Sequence, residues 1–160
     1  FHLPVVHLVD NPGFLIGRRA EDEATIRWGS RALTAIYQAS VPWASVILRK
    51  AYGMAGSAHA PADRFRWRMA WPSGDWGSLP ISGGLEAAYR AELEAAEDPA
   101  ARLAEIKARL ERVRSPFRTA ERFGVEAIIA PEETRAELCA FAATAQRALR
   151  PGRKGRGLRP

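Results

Sequence analysis

The stretch Arg49-Lys50-Ala51-Tyr52-Gly53-Met54-Ala55-Gly56-Ser57 runs from a β-branched, apolar segment into small residues that open a helix. The first N–H groups of a helix have no acceptor inside it, so they are free to point at an oxygen that gains negative charge. Chemistry of that kind needs no ionisable side chain, only main-chain donors held in place. The backbone N–H groups where that helix starts are the candidate donors, and in Tyr52-Gly53-Met54-Ala55-Gly56 two glycines lie around a sharp reversal.

A second candidate is Asp10-Asn11-Pro12-Gly13-Phe14-Leu15-Ile16-Gly17, a turn after an apolar run whose glycines let backbone approach a ligand closely. By itself it fits an ordinary strand-to-helix connection equally well. The chain has no Gly-x-Ser-x-Gly, no His-Glu-x-x-His, no phosphate loop and no Cys with a His partner at catalytic spacing. Of its three histidines, His7 alternates with apolar residues as a structural strand residue does, and His59 follows the glycine turn.

These segments need elements to hold them. His2 to Val9 reads as a strand, Glu21 to Ser40 as a helix with Ile26, Leu33, Ile36 and Tyr37 at helical spacing, and Ala44 to Leu48 as a second strand. Strand, helix, strand in that order favours a parallel sheet, with both candidate loops at the carboxyl ends of its strands, where ligands bind. Phe65, Trp67 and Met69 alternate with Arg64, Arg66 and Arg68, which predicts a strand with one apolar and one solvated cationic face. Cations interleaved with rings also suit single-stranded nucleic acid, but the amphipathic strand accounts for them more simply. Helices are expected over Leu85 to Ala96, Ala100 to Val113, Pro116 to Phe123 and Pro131 to Leu149, with a brief strand at Val125 to Ile129. The fold class is α/β.

The formal charge of +6 is concentrated at the end, where Arg150, Arg153, Lys154, Arg156 and Arg159 account for all but one unit of it. Residues 1–149 are therefore read as one nearly neutral domain and 150–160 as a basic disordered tail, and nucleic acid is disfavoured as a partner. A lone Cys139 leaves no internal disulfide, no Cys/His spacing marks a metal site, and no apolar stretch approaches the length of a membrane span. A soluble protein of a reducing cytoplasm is expected. The opening at Phe1 directly into apolar residues is read as a fragment of something longer.

Together, Val9-Asp10-Asn11-Pro12-Gly13-Phe14 and Arg49-Lys50-Ala51-Tyr52-Gly53 resemble the Asp-x-Pro-Gly-Phe and Arg-Lys-Ala-Tyr-Gly blocks of acyl-CoA carboxylase carboxyltransferases. Ala70-Trp71-Pro72 is similar to that family's Trp-Pro element, and Pro131-Glu132-Glu133-Thr134-Arg135 to its Pro-x-x-Thr-Arg segment. The resemblance implies a crotonase-like (ClpP/crotonase) fold, with this chain as a partial C-terminal carboxyltransferase domain whose N-terminal half is absent. It implies transfer of a carboxyl group from carboxybiotin, carried on a partner protein, to the α-carbon of an acyl-CoA.

Carried over by position, the amides of Met54 and Ala55 hold the biotin ureido oxygen. Tyr52, Gly53 and Gly56 lie on the carboxybiotin side with Gly13 and Phe14, and Ser57 stands at the position that selects the acyl group. The implied partners are acyl-CoA, a biotin carboxyl carrier or biotin carboxylase subunit, and further copies of the chain in a hexamer. No metal is implied, and the 160-residue piece alone is expected to be inactive. Where many members read Gly-Gly-Ala-Tyr-Asp, this chain has Gly53, Met54, Ala55, Gly56 and Ser57, and Gly77 to Gly84 departs from the usual Val-Met-Gly-Gly block. The alternatives are a non-catalytic assembly or nucleic-acid-binding module that uses the basic tail, or another crotonase-type CoA enzyme such as a hydratase or decarboxylase.

Overall fold

The computed structural model describes residues 1–59, 64–77 and 81–149, so the expected basic tail and residues 78–80 of the Gly77 to Gly84 block lie outside the described residues. In chain order the elements are β1 (Val5–Asn11), α1 (Arg18–Asp22), α2 (Thr25–Gln38), β2 (Trp43–Tyr52), α3 (Gly53–Gly56) and β3 (Arg66–Ala70). They continue with β4 (Asp75–Gly77), α4 (Ile81–Ala88), α5 (Arg90–Glu94), α6 (Pro99–Val113), α7 (Pro116–Glu121), β5 (Ala127–Ile128) and α8 (Thr134–Ala148).

All described strand pairs are parallel, in the order β1-β2-β3-β5, with β4 taking up β2 again beyond the end of β3. β2 is the central strand, and Ala44, Ser45, Val46 and Ile47 are all buried because helices cover both faces, as parallel sheets require. On one face Ala44 meets Phe141 and Ala145 of α8, with Val46, Met69 and Ile129 alongside. On the other, Val9, Ile47, Ala51, Ala70 and Val125 pack with Ala120 of α7 and Trp76. Each large side chain so buried contributes about 1.5–3 kcal/mol.

Several boundaries differ from the sequence reading, each for a physical reason. The first helix is two, because Ala24 adopts a left-handed conformation at φ 54°. α6 starts where expected, with the Asp98 carboxylate accepting from the N–H groups of Ala100 and Ala101 at 3.0 Å and Pro99 in its first turn. Beyond the end of α7 at Glu121 the left-handed residue is Phe123, at φ 54°, rather than Gly124, whose N–H donates to the Thr119 carbonyl at 2.8 Å.

The cationic strand is the largest correction. Arg68 is buried, and its guanidinium meets the Glu126 carboxylate at 2.7 Å and the Phe123 carbonyl at 3.0 Å, latching β3 to the segment that enters β5. Burial alone pushes Glu126 upward, but the hydrogen bonds and charge of Arg68 outweigh it and hold the carboxyl below its ordinary value. Arg64 turns the other way, donating to the carbonyls of Ile36 and Ala39 at the end of α2 and lying 4.3 Å from the Trp43 ring centroid. A cation there complements the helix dipole. Of the three arginines only Arg66 keeps the exposed position that alternation predicted. Among the described residues no helix is long and apolar enough to cross a membrane.

Candidate functional site

The site begins with an irregularity in β2. Val9 pairs with Ile47 and Asn11 with Ala51, so the single residue Asp10 faces three, Leu48, Arg49 and Lys50. Such a bulge breaks the ladder, and the Asp10 carboxylate takes up the loose donors. It accepts from the Lys50 N–H at 3.2 Å and from the Arg49 guanidinium at 2.9 and 3.2 Å. Those Arg49 and Lys50 hydrogen bonds hold the Asp10 carboxyl below its ordinary value. The Asp-x-Pro-Gly-Phe and Arg-Lys-Ala-Tyr-Gly segments, 39 residues apart, are thus joined by one ion pair.

The other flank of β2 is interrupted at the same level. β3 leaves after Ala70 pairs with Ile47, and β4 resumes where Asp75 pairs with Lys50. Between them the Trp71 N–H donates to the Ile47 carbonyl at 2.9 Å, and the Ser73 hydroxyl donates to the Leu48 carbonyl at 2.8 Å. The Trp71 indole N–H donates to the Thr134 hydroxyl at 2.9 Å, so the Trp-Pro and Thr-Arg segments also meet.

Beyond the bulge, Tyr52 is extended and Gly53 turns the chain at φ 59°, a conformation that suits glycine. α3 follows at once and folds back on β2. A Cβ on Gly56 would lie 2.3 Å from the Ala51 carbonyl carbon, so only glycine allows this closeness. The amides of Met54 and Ala55 belong to the first turn of this four-residue helix and lack an acceptor within it. The Ser57 N–H closes the turn onto the Gly53 and Met54 carbonyls, while outside α3 no described backbone carbonyl accepts from Met54 or Ala55.

The structure gathers most of the sequence-predicted residues around this reversal. Gly13, at φ 113° with its N–H donating to the Asn11 side chain at 2.9 Å, comes so near that a Cβ there would lie 3.8 Å from the Tyr52 carbonyl oxygen. Phe14 instead commits its ring to α2, where it fills the space beside Gly29. Ser57 turns its hydroxyl inward, donating to the Met54 carbonyl at 2.7 Å, and its own carbonyl accepts from the Tyr37 hydroxyl at 3.2 Å. The Met54 side chain is about half exposed and its sulfur lies 3.9 Å from the Ser30 hydroxyl. Tyr52, by contrast, is buried, pointing away from this surface and into the protein.

Sequence reasoning missed the residues beneath Tyr52. Arg114, just past α6, grips Asp75 of β4 through Nε at 2.6 Å and through a second, Nη2 contact, and its guanidinium lies 5.6 Å from the Tyr52 ring centroid. A pair 39 residues apart across two elements has no local signature in a sequence. Tyr37 was read only as a packing residue of the helical stripe, and Ser30 lay outside that stripe.

Chemically, a main-chain pair at the carboxyl edge of a parallel sheet, with no ionised side chain bonded to it among the described residues, suits stabilisation of a growing negative charge on a carbonyl-type oxygen. Among the described residues no cluster of three His, Cys, Asp or Glu is arranged to hold a metal.

The family described as the carboxyl transferase domain matches residues 1–157. A propionyl-CoA carboxylase carboxyltransferase subunit of Haloferax mediterranei is 40% identical over 145 residues, 88% of this chain and 28% of that protein. The methylmalonyl-CoA carboxyltransferase 12S subunit of Propionibacterium freudenreichii is 36% identical over 160 residues, 96% of this chain and 30% of that protein. A crystal structure of transcarboxylase 12S, a hexamer assembly with methylmalonyl-coenzyme A and methylmalonic acid bound, aligns at 33% identity with a TM-score of 0.81. That alignment covers 100% of this chain and 31% of the other, so the chain spans less than a third of the relatives it matches. The parallel α/β architecture is the crotonase-type fold of these carboxyltransferases.

Proposed function

The chain belongs to the carboxyl transferase domain family, and from that premise we propose that it is a C-terminal part of the carboxyltransferase subunit of a biotin-dependent acyl-CoA carboxylase. The observation that supports this reading most is the Met54–Ala55 amide pair, which the turn at Gly53 leaves without described backbone acceptors outside α3. A ureido oxygen fits such a pair because it is neutral at rest and becomes more basic as charge develops, which main-chain donors stabilise without a counter-ion. Carboxybiotin, when bound, supplies the carboxyl group that is moved to the acyl-CoA.

Each residue around the pair then has a stated task. Tyr52 anchors the end of β2, Gly53 supplies the turn, and Gly56 lets α3 lie against Ala51, so that the Met54 and Ala55 N–H groups keep one direction. Gly13 and the Phe14 backbone flank them on the cofactor side. Ser57, its hydroxyl already bonded to the Met54 carbonyl, shapes the acyl pocket by small volume rather than by a hydrogen bond to substrate. The Asp10–Arg49 pair holds the bulge from which the reversal departs.

In this reading residues 1–149 act as the domain, the basic tail lies beyond it, and the protein works in the cytoplasm. The partners are acyl-CoA, a biotin-carrying subunit and further copies of the same subunit in a hexamer. The test uses the complete polypeptide that carries these residues, given a carboxylated biotin carrier and a panel of acyl-CoAs. Labelled carboxyl is expected to move to at least one thioester. A folded, assembled protein that carboxylates none of them contradicts the proposal.

A further inference from the structure

Tyr52 is the last residue of β2 and is 1% exposed, so the packing of its ring decides the angle at which the strand delivers the reversal. Its buried hydroxyl has no hydrogen bond of good geometry, and burial and the nearby Asp75 carboxylate push the phenol up to about 12. The Asp75 carboxylate and Arg114 guanidinium are its charged neighbours, and packing against that pair rather than one well-formed hydrogen bond holds the ring. What lies against it is the guanidinium of Arg114, 5.6 Å from its centroid and fixed by a two-point grip on Asp75. Asp75 pairs with Lys50 at the upper edge of the bulge, and Gly77 of the same strand pairs with Tyr52. One partly buried ion pair thus connects the α6–α7 junction, the strand flanking β2 and the ring just before Gly53.

We propose that Arg114 is a positioning residue for carboxyl transfer: clamped to Asp75 and lying over Tyr52, it sets the direction in which the Met54 and Ala55 amides are presented. The inference rests on the function proposed above. It differs from a purely structural role because Arg114 reaches the reversal through the one side chain that immediately precedes it, and misplacement of donors by a fraction of an ångström weakens them steeply. Arg114 touches neither substrate nor reacting atoms.

The test compares Arg114→Met, which keeps an apolar stem and removes the fork, with Arg114→Lys, which keeps the charge, in the complete polypeptide. Arg114→Met is expected to lower kcat about tenfold or more while leaving the KM for acyl-CoA within about twofold, as loss of transition-state orientation does. Amide exchange at residues 52–57 is expected to quicken while that of α8 stays unchanged. Arg114→Lys, a point charge without the planar fork, is expected to recover part of both effects. Unchanged kcat per folded molecule, or exchange that rises uniformly through the domain, overturns the proposal. If the wild type itself transfers nothing, the proposed function falls, and the exchange pattern still decides whether Arg114 holds the reversal. If Arg114→Met does not fold, the lysine variant alone decides by the same two readouts.

Discussion

Met54→Pro in the complete polypeptide is expected to lower carboxyl transfer by about 10²–10³-fold, the usual cost of removing one preorganised donor from an oxyanion site. Proline removes the N–H and, with it, the Met54 side chain whose sulfur lies 3.9 Å from the Ser30 hydroxyl. Met54 is the second residue of α3, where a fixed φ near −65° is compatible with the helical turn and no intrahelical hydrogen bond is lost. Gly53, at φ 59°, lies outside the extended region that a following proline favours, so retained folding of the variant is established before rates are compared. Met54→Leu keeps the N–H and a side chain of similar size, and is expected to retain most of the activity that proline removes. Rates are compared at equal amounts of folded, assembled protein, with thermal unfolding as the control. Equal activity of the two variants places the chemistry elsewhere.

Gly56→Ala is expected to destabilise the domain by about 1–3 kcal/mol and to displace α3, with loss of activity beyond the loss of folded protein. The added methyl meets the Ala51 carbonyl carbon and oxygen at 2.3 and 2.7 Å, below any tolerable contact, and the obstacle is backbone of the central strand rather than a flexible side chain. β2 is held on both flanks and cannot retreat, so α3 must move. Denaturant unfolding of the two proteins measures the first effect, and the specific activity of the folded fraction measures the second. A variant as stable and as active as wild type means that the close packing of α3 on β2 is absent in solution.

Both substitutions fall in a segment that was legible from sequence, because glycines after a β-branched run have few uses and helix starts have free donors by construction. Gly13 was legible for the same reason, and the structure brings it beside Tyr52. The bulge was not. The strand reading stopped at Leu48, while β2 continues to Tyr52, because the charged pair Arg49-Lys50 ends an apolar run in sequence but in space meets Asp10. Periodicity likewise assigned Arg64 and Arg68 to solvent, since their acceptors, the end of α2 and Glu126, are 25–28 and 58 residues away. The break at Ala24 escaped notice because a left-handed alanine follows from the packing of two short helices, not from any residue preference. Asp75 and Arg114 lay in a turn-rich stretch and at a helix end, where a charge ordinarily means exposure.

The account depends on where the oxygen that gains charge rests. The most direct measurement is a crystal structure of the complete polypeptide with biotin bound. The ureido oxygen is predicted to lie about 2.7–3.1 Å from the amide nitrogens of both Met54 and Ala55, beside Gly13 and above an undisturbed Arg49–Asp10 pair. A ureido oxygen held instead by a side chain, or at another edge of the sheet with those two amides facing only water, contradicts it.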